Sequence, residues 1–152
     1  MRVAVGFDHR GVKLRERLLR DVEELGYEVV DVGTDSREPK IDYPDKAREL
    51  AETILDGRAT RGVLVCGSGV GASVAASKIH GIRAAICHDV YSAHQGVEHD
   101  DMNVLCLGSE VVGPELAADL VKAFLNARFI GGGRYARRLE KIKDLERMSV
   151  NA

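Results

Sequence analysis

Five short apolar runs, rich in β-branched residues, recur along the chain at 3–7, 27–32, 62–66, 82–87 and 103–107. Each is too short for a buried helix and is bounded by glycine or polar residues, so each reads as a strand. Most lack the in–out alternation of a half-exposed sheet, which predicts strands covered on both faces. Helical patterning fills the gaps. Leu14, Leu18, Val22 and Leu25 lie at helical spacing in 13–25, and Gly26 ends that helix. Pro44 suits the first turn of a helix over 44–55, and Gly113-Pro114 opens one at 115–126. Further helices are expected at 72–79, 92–98 and 134–148. Strand and helix in alternation predict an α/β fold: a Rossmann-like, doubly wound, five-stranded parallel sheet with helices on both faces. One domain over residues 1–152 is expected. Ligands in this architecture bind at the carboxyl ends of the strands, where the loops at 8–11, 33–43 and 67–71 and the turns after Cys87 and Leu107 should meet.

Composition excludes several function classes. The 152 residues carry a net charge of -2 and 5% aromatics without tryptophan. Neither a basic footprint for nucleic acid or anionic membrane nor a base-stacking surface is expected. No apolar run approaches the roughly 20 residues that span a bilayer. Met1-Arg2-Val3-Ala4-Val5 leads directly into a strand without a leader pattern. Cys66, Cys87 and Cys106 are odd in number and unclustered, which suits free thiols in a reducing cytoplasm rather than disulfides or zinc.

The segment 62–79 concentrates the chemistry. The strand ends in Cys66, followed by glycines at 67, 69 and 71 and a small-residue helix. A strand feeding a glycine turn and a helix N-terminus presents unpaired N–H groups and a favourable dipole to an anion. A thiol facing such a cradle can act as a base or nucleophile, its thiolate stabilised by the same N–H groups. Cysteine is also a common core residue, and glycine turns are common in α/β proteins, so both readings stand on this segment alone. Neither the P-loop spacing nor the dinucleotide fingerprint is present.

Other polar residues gather at predicted strand ends. Asp8-His9 closes the first strand. Asp42-Tyr43-Pro44 reads as the start of a helix. His99 and Asp100 fall in a charged loop before the fifth strand, while His80, His88 and His94 have no partner at metal-ligand spacing and read as surface or structural. Arg134 and Arg138, four apart, lie on one helix face, either as a solvated basic stripe or as a two-pronged phosphate clamp.

These residues in this order resemble the type B ribose-5-phosphate isomerase family, which also contains the galactose-6-phosphate isomerase subunits. The resemblance covers nearly the whole chain. It rests on Gly6-x-Asp8-His9-x-Gly11, Asp42-Tyr43-Pro44, Cys66-Gly67-Ser68-Gly69-Val70-Gly71, Gly81-Ile82-Arg83-Ala84, Tyr91-Ser92-Ala93, His99, Asn103-Val104-Leu105, Gly108-Ser109, and Gly132-Gly133-Arg134 with Arg138. It implies a cofactor-free, metal-free aldose–ketose isomerase of sugar phosphates. It further implies a homodimer or dimer of dimers, with each site shared between subunits and the C-terminal helix reaching the partner. By resemblance, Cys66 is the base, His99 opens the sugar ring and Ser68 relays a proton. The N–H groups of Gly67, Gly69, Val70 and Gly71 stabilise the enediolate. Asp8, His9 and Tyr43 bind substrate, and Arg134 and Arg138 bind its phosphate from the partner subunit.

Two positions depart from the family pattern: Glu110 stands where arginine is usual, and Asp100 where asparagine is usual. One charge change at ~4 Å is worth up to ~4 kcal/mol at an effective dielectric near 20, enough to alter substrate choice. Two extra acidic groups, Glu110 and Asp100, would disfavour an anionic substrate unless they point away from the site or bind sugar hydroxyls. Ribose 5-phosphate is the default substrate. A tetrose, hexose or unphosphorylated sugar, or a non-catalytic sugar-phosphate-binding subunit, are the alternatives.

Overall fold

The computed structural model describes the backbone of residues 1–151 and side chains through Met148; Ala152, the last residue of the expected domain, lies outside the described residues. Five parallel strands form one sheet: β1 (Arg2–Phe7), β2 (Glu28–Gly33), β3 (Arg61–Cys66), β4 (Ala84–Ile86) and β5 (Val104–Gly108), in the order β2-β1-β3-β5-β4. Among the described residues six α-helices accompany them: α1 (Arg15–Glu24), α2 (Tyr43–Leu55), α3 (Val70–Ser77), α4 (Val90–Asp100), α5 (Pro114–Asn126) and α6 (Gly133–Asn151). Among the described residues, no helix is long and apolar enough to cross a membrane.

The two-residue period of a strand divides the core. Val3, Val5, Phe7, Val63, Val65, Leu105 and Leu107 point to one face and pack on Leu18 and Val22 of α1, Val97 of α4 and Leu120 and Phe124 of α5. Ala4, Leu64, Cys66, Val104 and Cys106 point to the other, against Ala47 and Leu50 of α2 and Ala72 and Ala76 of α3. Helices therefore cover both faces, as the strand composition predicts. Leu50 is fully buried. Truncating such a leucine to alanine typically costs about 2–5 kcal/mol.

Sheet order places the site. The chain leaves β1 for β2 on one side and adds β3 on the other, so a crevice opens at the carboxyl ends of β1 and β3. Register aligns Phe7 with Val65 and Cys66 with Gly108. The Asp8 N–H donates to the Val65 carbonyl at 3.1 Å. Asp8, Cys66 and Gly108 thus stand side by side along one edge.

Four expected boundaries shift. The helix expected at 13–25 begins as a 3-10 turn over Gly11–Leu14, because Asp8 takes the N–H groups that would start a regular helix. The strand expected at 82–87 shrinks to three paired residues, because β4 is an edge strand bonded only to β5. Helix α3 starts at Val70 rather than 72, directly after Gly69. Helix α4 runs from 90 to 100, so His99 and Asp100 lie in its last turn rather than in a loop. Asp89 caps it by accepting the Ser92 N–H at 2.7 Å, and Asp101 closes it at φ 52°.

Candidate active site

Cys66 ends β3 beneath the first turn of α3 and is 5% exposed. Its Sγ accepts the backbone N–H of Gly69 at 3.2 Å. Gly69 reaches that position at φ 84°, a left-handed conformation that a side chain would strain. The other thiols differ. Burial raises the Cys87 thiol to about 11, and burial raises the fully enclosed Cys106 thiol as well. Among the three, Cys66 is the one whose sulfur meets a backbone N–H donor.

The loop from 67 to 71 is clamped from the β5 side. The Ser109 N–H donates to the Cys66 carbonyl at 2.8 Å and the Glu110 N–H to the Gly67 carbonyl at 2.9 Å. Ser68 Oγ accepts the Val70 N–H at 3.2 Å. Among the described residues, the N–H groups of Ser68, Gly71 and Ala72 make no hydrogen bond. They are the unpaired donors that a glycine turn before a helix is expected to offer. The Tyr43 ring lies over Gly71, where a Cβ would come within 2.6 Å of it. Two apparently ordinary features, the glycine at 71 and the aromatic at the start of α2, are therefore one contact.

Asp8 and His9 are placed at the same edge but differ in what they have free. Asp8 is buried, and its Oδ1 accepts the N–H groups of Arg10 at 2.9 Å and Gly11 at 2.8 Å. That oxygen shapes the turn that presents His9. His9 Nδ1 lies 3.1 Å from the Ile41 carbonyl oxygen, which ties it to the loop before α2.

His99 belongs to a second cluster. Its Nδ1 is 2.7 Å from Gln95 Nε2, and its ring stacks at 4.6 Å on Tyr135 of α6. The Arg134 guanidinium also lies over the Tyr135 ring at 4.6 Å and donates to the Tyr135 hydroxyl at 2.7 Å. Arg138 is exposed one turn further along α6 and makes no hydrogen bond or ion pair among the described residues. No hydrogen bond or ion pair among the described residues joins this cluster to the Cys66 loop. Asp100 is exposed and lines a groove of about 800 Å³ bounded by β4, α4 and α6, whose lining does not include Cys66. This groove contains none of the other expected site residues. Glu110 is exposed and pairs with Lys13 Nζ at 3.1 Å. That lysine, with Arg10 and Arg37, holds its carboxyl below the usual range.

Sequence patterning missed three neighbours. His88 Nε2 accepts the Gly108 N–H at 3.1 Å, and burial lowers its pKa. Its place just after β4 was the available signal. Tyr135 sits between the two arginines, and Arg10 lies inside the Asp8-to-Gly11 turn. Among the described residues, no three His, Cys, Asp or Glu side chains stand together as a metal site.

Comparison with known proteins agrees over almost the full length. The ribose-5-phosphate isomerase B of Escherichia coli (strain K12) is 44% identical over 145 residues, covering 95% of this chain and 96% of that protein. The D-erythrulose-4-phosphate isomerase of Pectobacterium atrosepticum is 41% identical over 140 residues, covering 92% and 91%. The solved ribose-5-phosphate isomerase B of Clostridium thermocellum superposes with a TM-score of 0.93 at 43% identity, covering 98% of this chain and 99% of that one. The model of the ribose/galactose isomerase family matches residues 3–142, and with these relatives it shows that the chain belongs to that family.

Proposed function

We propose that the protein is an aldose–ketose isomerase of sugar phosphates, working through an enediolate, with ribose 5-phosphate and ribulose 5-phosphate as its first-choice pair. The observation that carries this reading is Cys66 Sγ held at 3.2 Å by the Gly69 N–H, beside the unpaired N–H groups that open α3. Removing a proton next to a carbonyl builds negative charge on oxygen, and preorganised N–H donors are the effective stabiliser of that charge. Cys66 as thiolate takes the C2 proton. The electron pair moves into the C1–C2 bond and onto O1, where the donors from 67 to 71 receive it. Return of the proton to C1, with transfer between the two oxygens aided by Ser68, gives the ketose. No redox partner is required.

His99 donates a proton to the ring oxygen to open the cyclic sugar. Asp8, His9 and Tyr43 line the sugar end, and Arg134 and Arg138 bind the phosphate of a partner subunit's substrate in a homodimer. That no hydrogen bond or ion pair among the described residues joins the Arg134 cluster to the Cys66 loop supports this division between subunits. The three unpaired thiols suit a reducing cytoplasm.

The choice of sugar is the second part of the proposal. A tetrose phosphate isomerase stands among the relatives, so chain length of the sugar is open to test. The Lys13 pair offsets the charge of Glu110, which supports an anionic substrate over an unphosphorylated one. Isomerisation rates of the purified protein on phosphorylated and free tetroses, pentoses and hexoses decide the point. Turnover of ribose 5-phosphate well above the others is expected. Turnover of free sugars alone would overturn the phosphate reading, and no turnover of any would overturn the enzyme reading.

A further inference from the structure

Arg10 occupies the turn that leads from β1 toward α1, and its backbone is fixed at both ends. Its N–H donates to Asp8 Oδ1 at 2.9 Å, and its carbonyl accepts the hydroxyl of buried Ser109 at 2.8 Å. From that anchor the side chain turns back over the cradle. A Cβ built on Gly67 would lie 2.6 Å from both Cζ and Nη1 of Arg10 and 2.8 Å from Nε. The guanidinium therefore rests on the residue next to Cys66, and Gly67 is the residue that leaves room for it.

An exposed arginine ordinarily extends into water or pairs with an acid. Arg10 is exposed, yet its guanidinium makes no hydrogen bond or ion pair among the described residues. Glu110, the acid whose carboxyl Arg10 helps keep ionised, is instead bonded to Lys13 Nζ at 3.1 Å. Lys13 thus occupies Glu110 and leaves the five donors of Arg10 unclaimed. They stand over Gly67, the residue that follows Cys66. A planar fork of unclaimed donors matches a phosphate, whose oxygens accept in two directions at once.

Resting on the sugar-phosphate reading above, we propose that Arg10 is a specificity-determining residue. It is a cation from the same subunit as Cys66 that binds the substrate's phosphate and makes phosphorylated sugars preferred over free ones. Hydrogen bonds to charged groups of this kind correspond to roughly a 10- to 100-fold change in affinity.

Three proteins test it: the wild type, R10Q and R10K. For each, kcat and KM are measured on the best phosphorylated substrate, and inorganic phosphate is titrated as a competitive inhibitor. R10Q should raise KM and the phosphate inhibition constant together by about 10- to 100-fold, with kcat within a few-fold of wild type. R10K, which keeps the charge and loses the fork, should fall between. Circular dichroism and the melting midpoint establish that each variant is folded, and R10K carries the test if R10Q is not. An unchanged phosphate inhibition constant in a folded variant overturns the proposal, as does a loss confined to kcat. A wild type inactive on every sugar phosphate overturns the functional reading itself, a result distinct from an active wild type matched by R10Q.

Discussion

Gly69 donates its backbone N–H to Cys66 Sγ across 3.2 Å while holding φ at 84°. Directly after that bond the left-handed turn at 69 leads the chain into the first turn of α3. A Cβ at 69 would also approach the Leu107 carbonyl carbon at 3.1 Å. Gly69→Ala should cost about 1–2 kcal/mol for the left-handed residue alone. It should also lower kcat more than substrate affinity. Denaturant melts and steady-state kinetics on the same preparation check both effects, and a variant with unaltered kcat would separate the turn from the chemistry.

Cys66→Ala and Cys66→Ser should lose turnover by the 10²- to 10⁴-fold typical of a removed general base, with the fold intact. Residual rates within a few-fold of wild type would exclude Cys66 as the base.

The three thiols should label in order. Iodoacetamide near neutral pH should modify Cys66 first, since burial raises the Cys87 thiol to about 11 and raises Cys106 too. Peptide mapping after timed labelling gives the order. Labelling of Cys87 ahead of Cys66 would contradict this account of the site.

His99→Asn should slow the cyclic sugar far more than an open-chain aldehyde analogue, because ring opening is the step proposed for it. Its ring is held by Gln95 and Tyr135, so Tyr135→Ala should show the same bias in weaker form. Equal losses on both substrates would refute the division.

Glu110→Arg should lower KM for sugar phosphates by a few-fold at low salt. Glu110 and Lys13 are both exposed, so the benefit should fade as ionic strength rises. A gain independent of salt would place residue 110 in direct contact with substrate.

His88 should make stability fall on acidification. Burial lowers its folded pKa, so the neutral ring, which accepts the Gly108 N–H, is the folded form. Below about 6.5, the ordinary histidine value, the unfolded chain takes up a proton that the folded chain does not. Stability from this group is therefore complete above about 6.5 and declines as pH drops toward the lower folded value. Unfolding midpoints across pH 5–8 should show a shallower acid-side decline in His88→Gln than in wild type. Parallel declines would remove His88 as the cause.

Much of the architecture is a local property of the chain. Burial on both faces shows in apolar runs such as Gly62-Val63-Leu64-Val65, helices show in the spacing of Leu14, Leu18 and Val22, and the anion cradle shows in the alternate glycines after Cys66. Each depends on residues within a few positions of one another, so periodicity alone reveals it. Tertiary structure decided what distance along the chain conceals. The edge position of β4 follows from β5 pairing between it and β3, and pairing order leaves no mark in the period of either strand. The helical placement of His99 depends on a cap at Asp89, ten residues upstream. The pairing of Glu110 with Lys13 joins residues 97 apart, and the fold of Arg10 over Gly67 joins two different strand ends. Charge type is visible in a sequence, but which charges meet depends on how the sheet brings its loops together.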